Sequence, residues 1–354
     1  MSYISTHKSR IVETDDSLQG SMRILSWDGD GTLDPRGLRN GNAEYRVECV
    51  LPGSVFFKQI LLPINPSLGG RNSSVKLSAS DFSSTQLKNL FYVHLVFQHN
   101  FMMVQSMMSG QSMYTCVRVP KTRFTKYSIT CRDGKDYPST IDIAIPLCTL
   151  LVCLNLYSQN QEISLYYDSD ERQIELSGRY TDYSEYWNTP EVDQLMICKL
   201  KTIFMTPLQM PFNGADFKFI GVDYFSISPK ILYPCLHDIA SDSSSSKLVL
   251  EVVPVDESYS NCVLALGRGK ATLALEWDFS FDNTVFEEFN VSNKHQHNYS
   301  AKCWLGVANG IKLARRIRIA IKNDGILLIQ VSMNDQASDV INFYYYMHPL
   351  LETV

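Results

Sequence analysis

Arg316-Ile-Arg-Ile-Ala-Ile-Lys322, Asn323-Asp-Gly325 and Ile326-Leu-Leu-Ile-Gln-Val331 follow one another without interruption. The outer runs read as strands. Asp-Gly between them is a strong hairpin signal, because both central positions tolerate positive φ. A second break, Asn334 to Ser338, precedes Val340 to Tyr346. The chain therefore closes as an antiparallel meander of three strands.

Working outward, the first of these strands is preceded by a helical period over Leu305 to Ala314, itself preceded by an alternating stretch from Ser300 to Trp304. The same succession of strand, helix and strand occurs three times more. Tyr45 to Val50 leads into Ser54 to Ile64 and Val75 to Ala79. Ile141 to Ile145 leads into Leu147 to Tyr157 and Ile163 to Tyr167. Phe219 to Phe225 leads into Pro229 to Ala240 and Leu248 to Val253. A period of two that switches to a helical period and back marks a supersecondary unit, and four units imply a duplicated architecture with two per domain. Further strand-like runs follow most of the helices, so strands outnumber helices by at least two to one. A doubly wound parallel sheet needs a helix after nearly every strand. The expected class is therefore α+β, antiparallel sheets with the helices gathered on one face.

With 354 residues, 45% hydrophobic and 19% charged, the chain has apolar material for two cores. No run of about 20 apolar residues is present to form a membrane span. Residues 1–43 read as a polar, disordered lead rather than a signal peptide. Nine cysteines, none in a Cys-x-x-Cys pair, suggest buried thiols in a reducing compartment.

Charge is uneven. The formal net charge is −5, which argues against coating nucleic acid with the whole surface. From Lys294 to Lys322, however, there is no Asp or Glu, while Lys294, Lys302, Lys312, Arg315, Arg316, Arg318 and Lys322 are basic. The first unit likewise has Lys58, Arg71 and Lys76 and no acid between Cys49 and Ser80. Basic residues favour a helix C-terminus, which would account for Arg315 and Arg316 alone. The whole stripe reads better as a phosphate-facing surface on one side of an acidic body.

Two segments resemble a known family. Tyr114-Thr-Cys-Val-Arg-Val-Pro-Lys-Thr-Arg-Phe-Thr-Lys-Tyr-Ser-Ile129, followed by Ile141 to Tyr157 with its Leu-Leu-x-Cys-Leu helix, resembles the first domain of the Rad-one-type subunit of the nine-one-one checkpoint clamp. Lys322 to Gln330 and Ile341-Asn-Phe-Tyr-Tyr-Tyr-Met-His-Pro349 resemble its closing hairpin and aromatic tail. The resemblance implies a DNA-clamp fold like that of proliferating-cell nuclear antigen, with helices lining a ring around duplex DNA. It implies a noncatalytic nuclear subunit of a heterotrimer in the DNA-damage checkpoint, joined to two related subunits, loaded by an ATP-driven clamp loader and serving signalling and repair proteins, without cofactor or metal. Lys58, Lys230, Lys302, Lys312, Arg315 and Arg316 would then face DNA without reading its sequence.

The resemblance also places a first domain at 44–204, a connector at 205–217, a second domain at 218–349 and a tail at 350–354. Two prolines and a glycine between Pro207 and Asp216 suit an extended connector. Leu208, Met210 and Phe212 would contribute to an apolar pocket for short peptide motifs. Ring closure would use the strands Leu195 to Ile203 and Val263 to Leu275 as edges, through Met196, Cys198, Leu200, Leu264 and Leu266. Asp81 to Gln111 reads as an additional Met-rich stretch, and Tyr180 to Val192 as an inserted acidic, aromatic loop.

Other readings compete. A homotrimeric sliding clamp of replication type is an alternative that the sequence does not separate from the heterotrimer. Asp28-Gly-Asp-Gly-Thr-Leu33 matches the first motif of haloacid-dehalogenase-type phosphatases, with Asp28 as nucleophile and Asp30 as acid and base, but the strand-rich remainder lacks the partner motifs and the parallel sheet that chemistry needs. His295 and His297 lack further ligands at metal spacing. Asp168, Asp170 and Glu171 could suggest an exonuclease metal site and read more simply as a hairpin turn. Ser241 to Ser246 reads as a flexible loop.

Overall fold

The computed structural model describes residues 45–64, 91–108, 112–131, 140–157, 159, 161–179, 195–203, 205–208, 222–241, 247–255, 264–270, 273–280, 282, 284–333 and 340–350. The same order of elements occurs twice. The first half runs β1 (Tyr45–Leu51), α1 (Ser54–Leu61), β2 (Tyr92–Gln98), β3 (Phe101–Met107), β4 (Met113–Pro120), β5 (Lys126–Cys131), β6 (Ile141–Pro146), α2 (Leu147–Leu154), β7 (Ile163–Asp168), β8 (Gln173–Arg179) and β9 (Leu195–Lys201). The second runs β10 (Asp223–Ile227), α3 (Pro229–Ser241), β11 (Lys247–Val252), β12 (Leu264–Lys270), β13 (Leu273–Phe279), β14 (Phe286–Asn290), β15 (His295–Ser300), α4 (Ala301–Ile311), β16 (Ala314–Ile321), β17 (Leu327–Met333) and β18 (Asn342–Met347). The class is α+β, as the sequence implies, and the strand pairs are antiparallel throughout the described sheets.

Pairing repeats with the element order. The rows β5-β1-β7-β8-β9 and β14-β10-β16-β17-β18 are equivalent, as are β6-β2-β3-β4 and β15-β11-β12-β13. One contact breaks the equivalence. β4 pairs with β18, from Arg118 opposite Asn342 to Met113 opposite Met347, and this fuses two rows into a nine-stranded sheet across the halves.

The helices form because one face of each has a sheet to cover. Phe57, Ile60 and Leu61 of α1 are buried, as are Leu147, Leu150, Leu151 and Leu154 of α2 and Cys303, Trp304, Val307 and Ile311 of α4. These are the i, i+3, i+4, i+7 positions of a single stripe. No side chain caps the N-terminus of α1, α2 or α4. Helices of 8 to 11 residues are marginal alone, so burial rather than local propensity holds them, at about 1.5–3 kcal/mol per large apolar side chain.

The hairpin that opens the sequence argument forms in register from Ile321 opposite Leu327 to Arg316 opposite Ser332. Its turn differs in detail from the expectation. Only Gly325 has positive φ, at 82°, and its N–H donates to the Lys322 carbonyl at 2.8 Å, giving a three-residue loop in which Asp324 accepts from the Ile326 N–H.

Several boundaries move. Helix α4 starts at Ala301 and ends at Ile311, so Ser300 to Trp304 is not a strand and Arg315 and Arg316 stand on β16. Asp81 to Gln111 is no accessory stretch, because β2 and β3 within it are interior strands of the nine-stranded sheet. Val75 to Ala79 and Tyr180 to Val192 lie outside the described residues, as do residues 1–43 with Asp28 and Asp30. The expected edge strand at 263–275 is two strands. Leu264 and Leu266 lie on β12, which has neighbours on both sides, and the strand with a single neighbour is β13.

Phe124 and Tyr127, within the segment Tyr114 to Ile129, have a structural task. Phe124 is buried 5.2 Å from the Tyr127 ring, and the Tyr127 hydroxyl lies 2.7 Å and 2.8 Å from the carbonyl oxygens of Gln98 and Phe101. One proton shared between two carbonyls ties the β2–β3 turn to β5.

Candidate nucleic-acid interface

The four helices touch in a single row. Helix α2 packs on α1; the 3₁₀ turn Leu62–Ile64 that prolongs α1 packs on α4; α4 packs on α3. Their apolar faces join the strand residues Val47, Leu95, Ile145, Phe225, Ile317 and Phe343 in one continuous core. The opposite faces of the helices therefore form one layer spanning both halves. Tyr345 of β18 locks the centre of the row. It is fully buried, its hydroxyl points to the Pro63 carbonyl at 3.4 Å, and that hydroxyl fills the place of a Cβ at Gly310 of α4, with the ring carbon bearing it 3.1 Å from the same position.

Charge on this layer is one-sided. Lys58 on α1, Lys230 on α3, Lys302 on α4 and Lys312 just after α4 stand against one carboxylate, Asp238 of α3. Lys230, Lys302 and Lys312 are exposed. Lys58 is half-buried, and burial pulls its ammonium below the ordinary lysine value. Lys58, Lys230 and Lys302 have no ion pair among the described residues. Lys312 also follows the C-terminal turn of α4, where a cation meets the negative end of the dipole. Arg123, from the 3₁₀ turn Lys121–Arg123, adds charge beside α1, with its guanidinium 5.6 Å from the Phe56 ring centroid. Sequence reading passed over Arg123 because it lies in the run taken as a strand.

On the strands several cations are matched. Arg46 meets Asp168 at 2.9 Å, Lys126 meets Glu48 at 2.7 Å, Lys199 meets Glu175 at 3.3 Å and Lys294 meets Glu251 at 2.7 Å. Arg316 and Arg318 belong to this group. They alternate with Ile317 and Ile319, which enter the helix-packed core, so their side chains leave from the far face of the sheet. Arg316 is 2.9 Å from both Glu287 and Glu288, and Arg318 is 2.7 Å from Glu288. Burial pushes the Glu288 carboxyl up, but hydrogen bonds from Arg318 and Arg316 outweigh it and hold the group below the ordinary carboxylate range. Arg315 occupies a bulge of β16 and lines the same far face. Arg315 and Arg316 are thus removed from the helix layer, while Lys58, Lys230, Lys302 and Lys312 remain on it.

The other candidates resolve simply. Asp168 closes the β7–β8 hairpin, where it accepts from Arg46 and from the Asp170 N–H, and burial, which alone would raise its pKa, is outweighed by these bonds. His295 Nε2 is 2.7 Å from Asp223, whose carboxylate also accepts from the N–H groups of Ser292 and Asn293. No group of three His, Cys, Asp or Glu side chains suited to a metal occurs among the described residues. No helix there is long and apolar enough to cross a membrane. Leu208 is half-buried, and Met210 and Phe212 lie outside the described residues. Away from the helices, a second apolar cluster of Tyr114, Ala320, Leu328 and Tyr346 covers the β4–β18 junction.

Met196, Cys198 and Leu200 lie on β9, whose sheet neighbour among the described residues is β8 alone. β9 is the equivalent of β18, and β13 of β4. Among the described residues the pairing that joins the halves is therefore left open twice, at β9 and at β13. Compared with protein-family models and with curated proteins, the chain matches none.

Proposed function

We propose that the chain is a noncatalytic subunit of a heterotrimeric ring clamp that encircles duplex DNA in the DNA-damage checkpoint. The observation that carries this reading is the pair of open equivalents, β9 and β13. A chain with one filled and two unfilled copies of a single strand contact is a link that extends head to tail, and such links close into rings. Counting equivalent positions through the two halves transfers the β4–β18 register to the missing contact. In that register Met196 falls opposite position 277 and Cys198 opposite position 275 of a neighbour built like this chain. In the heterotrimer the neighbours are two related subunits, placed on DNA by an ATP-driven loader in the nucleus; a homotrimer of replication type is the alternative.

The lysine layer supports duplex DNA as what the ring holds. Lys58, Lys230, Lys302 and Lys312 lie on a shared surface where phosphate can replace solvent counterions, and sequence plays no part in such contacts. The strand-side carboxylates keep the outer face unattractive to DNA. That outer face, with the apolar cluster at the β4–β18 junction, suits a platform for signalling and repair proteins.

The test is topological. Loaded with its two sister subunits onto closed circular DNA, the wild-type ring stays bound at moderate salt and is released when the circle is cut. Lys230→Glu, Lys302→Glu and Lys312→Glu together abolish retention while leaving subunit assembly intact. Arg315→Glu with Arg316→Glu leaves retention unchanged. Retention unaffected by the triple lysine change, or undiminished by linearisation, would refute the reading.

A further inference from the structure

Arg315 and Arg316 stand out in the sequence, and the lysine layer makes no use of them. They meet in an open depression of about 500 Å³ on the sheet face turned away from the helices, bounded by β14, β16, β17 and β18. Its two ends differ. At one end Glu287 and Glu288 hold Arg316, which also donates from Nε to the Ser226 hydroxyl at 3.3 Å. At the other end the β16 register slips between Ala314 and Arg316, and Arg315 is the extra residue. A bulge of this kind re-aims a side chain that regular alternation would send elsewhere. Three guanidinium groups, those of Arg315, Arg316 and Arg318, face two carboxylates. Among the described residues Arg315 has no ion pair, which leaves one positive charge at the bulge without a described counterpart.

The remaining lining tells what would balance it. Ser332 donates to Oδ1 of Asn342 at 2.6 Å, which occupies the Asn342 oxygen and leaves its amide N–H groups as donors beside Arg315. Met333 and Val340 form an apolar shelf next to these donors, and Val340 is 44% exposed. A guanidinium fork, an adjacent amide and the outer N–H groups of Arg316 exceed what a single carboxylate uses. They suit the three oxygens and nearly double charge of a phosphate monoester. A polyanion fits poorly, since successive phosphates would pass Glu287 and Glu288.

We propose that this depression docks a phosphorylated serine or threonine presented by an extended peptide, with the phosphate on Arg315 and Asn342 and a neighbouring apolar side chain on Met333 and Val340. The site is independent of the lysine layer and of ring formation.

The experiment uses the full chain and two fluorescein-labelled peptide libraries with randomised flanks, one fixed on central phosphoserine and the other on serine. Anisotropy titrations are expected to show at least tenfold tighter binding of the phosphoserine library. Arg315→Ala removes that difference, Glu287→Gln preserves or increases it, and Lys230→Ala with Lys302→Ala leaves it unchanged. Equal binding of both libraries overturns the proposal. So does a preference that survives Arg315→Ala, or one lost with the two lysines. Arg315 is exposed, so its loss leaves the fold intact, and an unchanged melting curve verifies this.

Discussion

Gly310 shows how narrowly single residues are fixed at the centre of the molecule. The Tyr345 hydroxyl fills the space beside its Cα, and the backbone of α4 approaches β18 because no Cβ intervenes. Gly310→Ala should destabilise the fold by about 1–3 kcal/mol, the cost typical of overpacking a dense core. Adding Tyr345→Phe removes the colliding oxygen and should recover much of the loss, since the ring carbon itself stands at 3.1 Å. Urea melts of the two variants decide this. His297 and His348 set a second constraint. Burial holds both below the ordinary imidazole value, with His295 adding to the effect at His297 and Asp324 opposing it at both. The unfolded chain takes up protons at these positions that the folded chain refuses, so their contribution is complete above about pH 6.5 and declines as pH falls through that value. Urea midpoints should drop between pH 7.5 and 5.5, and His297→Gln with His348→Gln should flatten the drop.

At the scale of elements, the sequence was most readable where one face of an element is wet. Helices α1, α3 and α4 and the β16–β17 hairpin show their periods because lysines, arginines and other polar residues interleave with core residues, whereas α2 has only Cys148, Thr149, Val152 and Cys153 between its leucines. β2 and β3 were hidden for the opposite reason. Val93 through Phe97 are buried without a break, so a strand covered on both faces carries no period of two. The β12–β13 hairpin was taken for one strand because Leu264-Ala-Leu266 and Leu273-Ala-Leu275 carry the same alternation. The lysine members of the candidate interface were legible from their helical positions. Arg315 and Arg316 were not, since α4 ends four residues before Arg315 and the β16 bulge turns that segment to the far side. Local charge counting finds a basic segment but does not tell which face of a sheet it serves.

At the scale of the whole molecule, duplication does most of the organising. Two pairs of equivalent strand rows and one row of helices would make two separable bodies if the halves met only through a connector. Instead β4 and β18 share six residue pairs, and Tyr345 reaches Pro63 of the first half while packing on Gly310 of the second. Covalent continuity between Leu208 and Val222 is therefore not what holds the halves in place. Two polypeptides, 1–214 and 215–354, produced together should find one another, purify as a one-to-one complex and melt in a single transition close to that of the uncut chain. Fragments that remain apart would show the tether to be indispensable. Their union would mean that the outermost strand of each half already carries the address of the other, and that an ancestor encoded as two polypeptides could have built the same body.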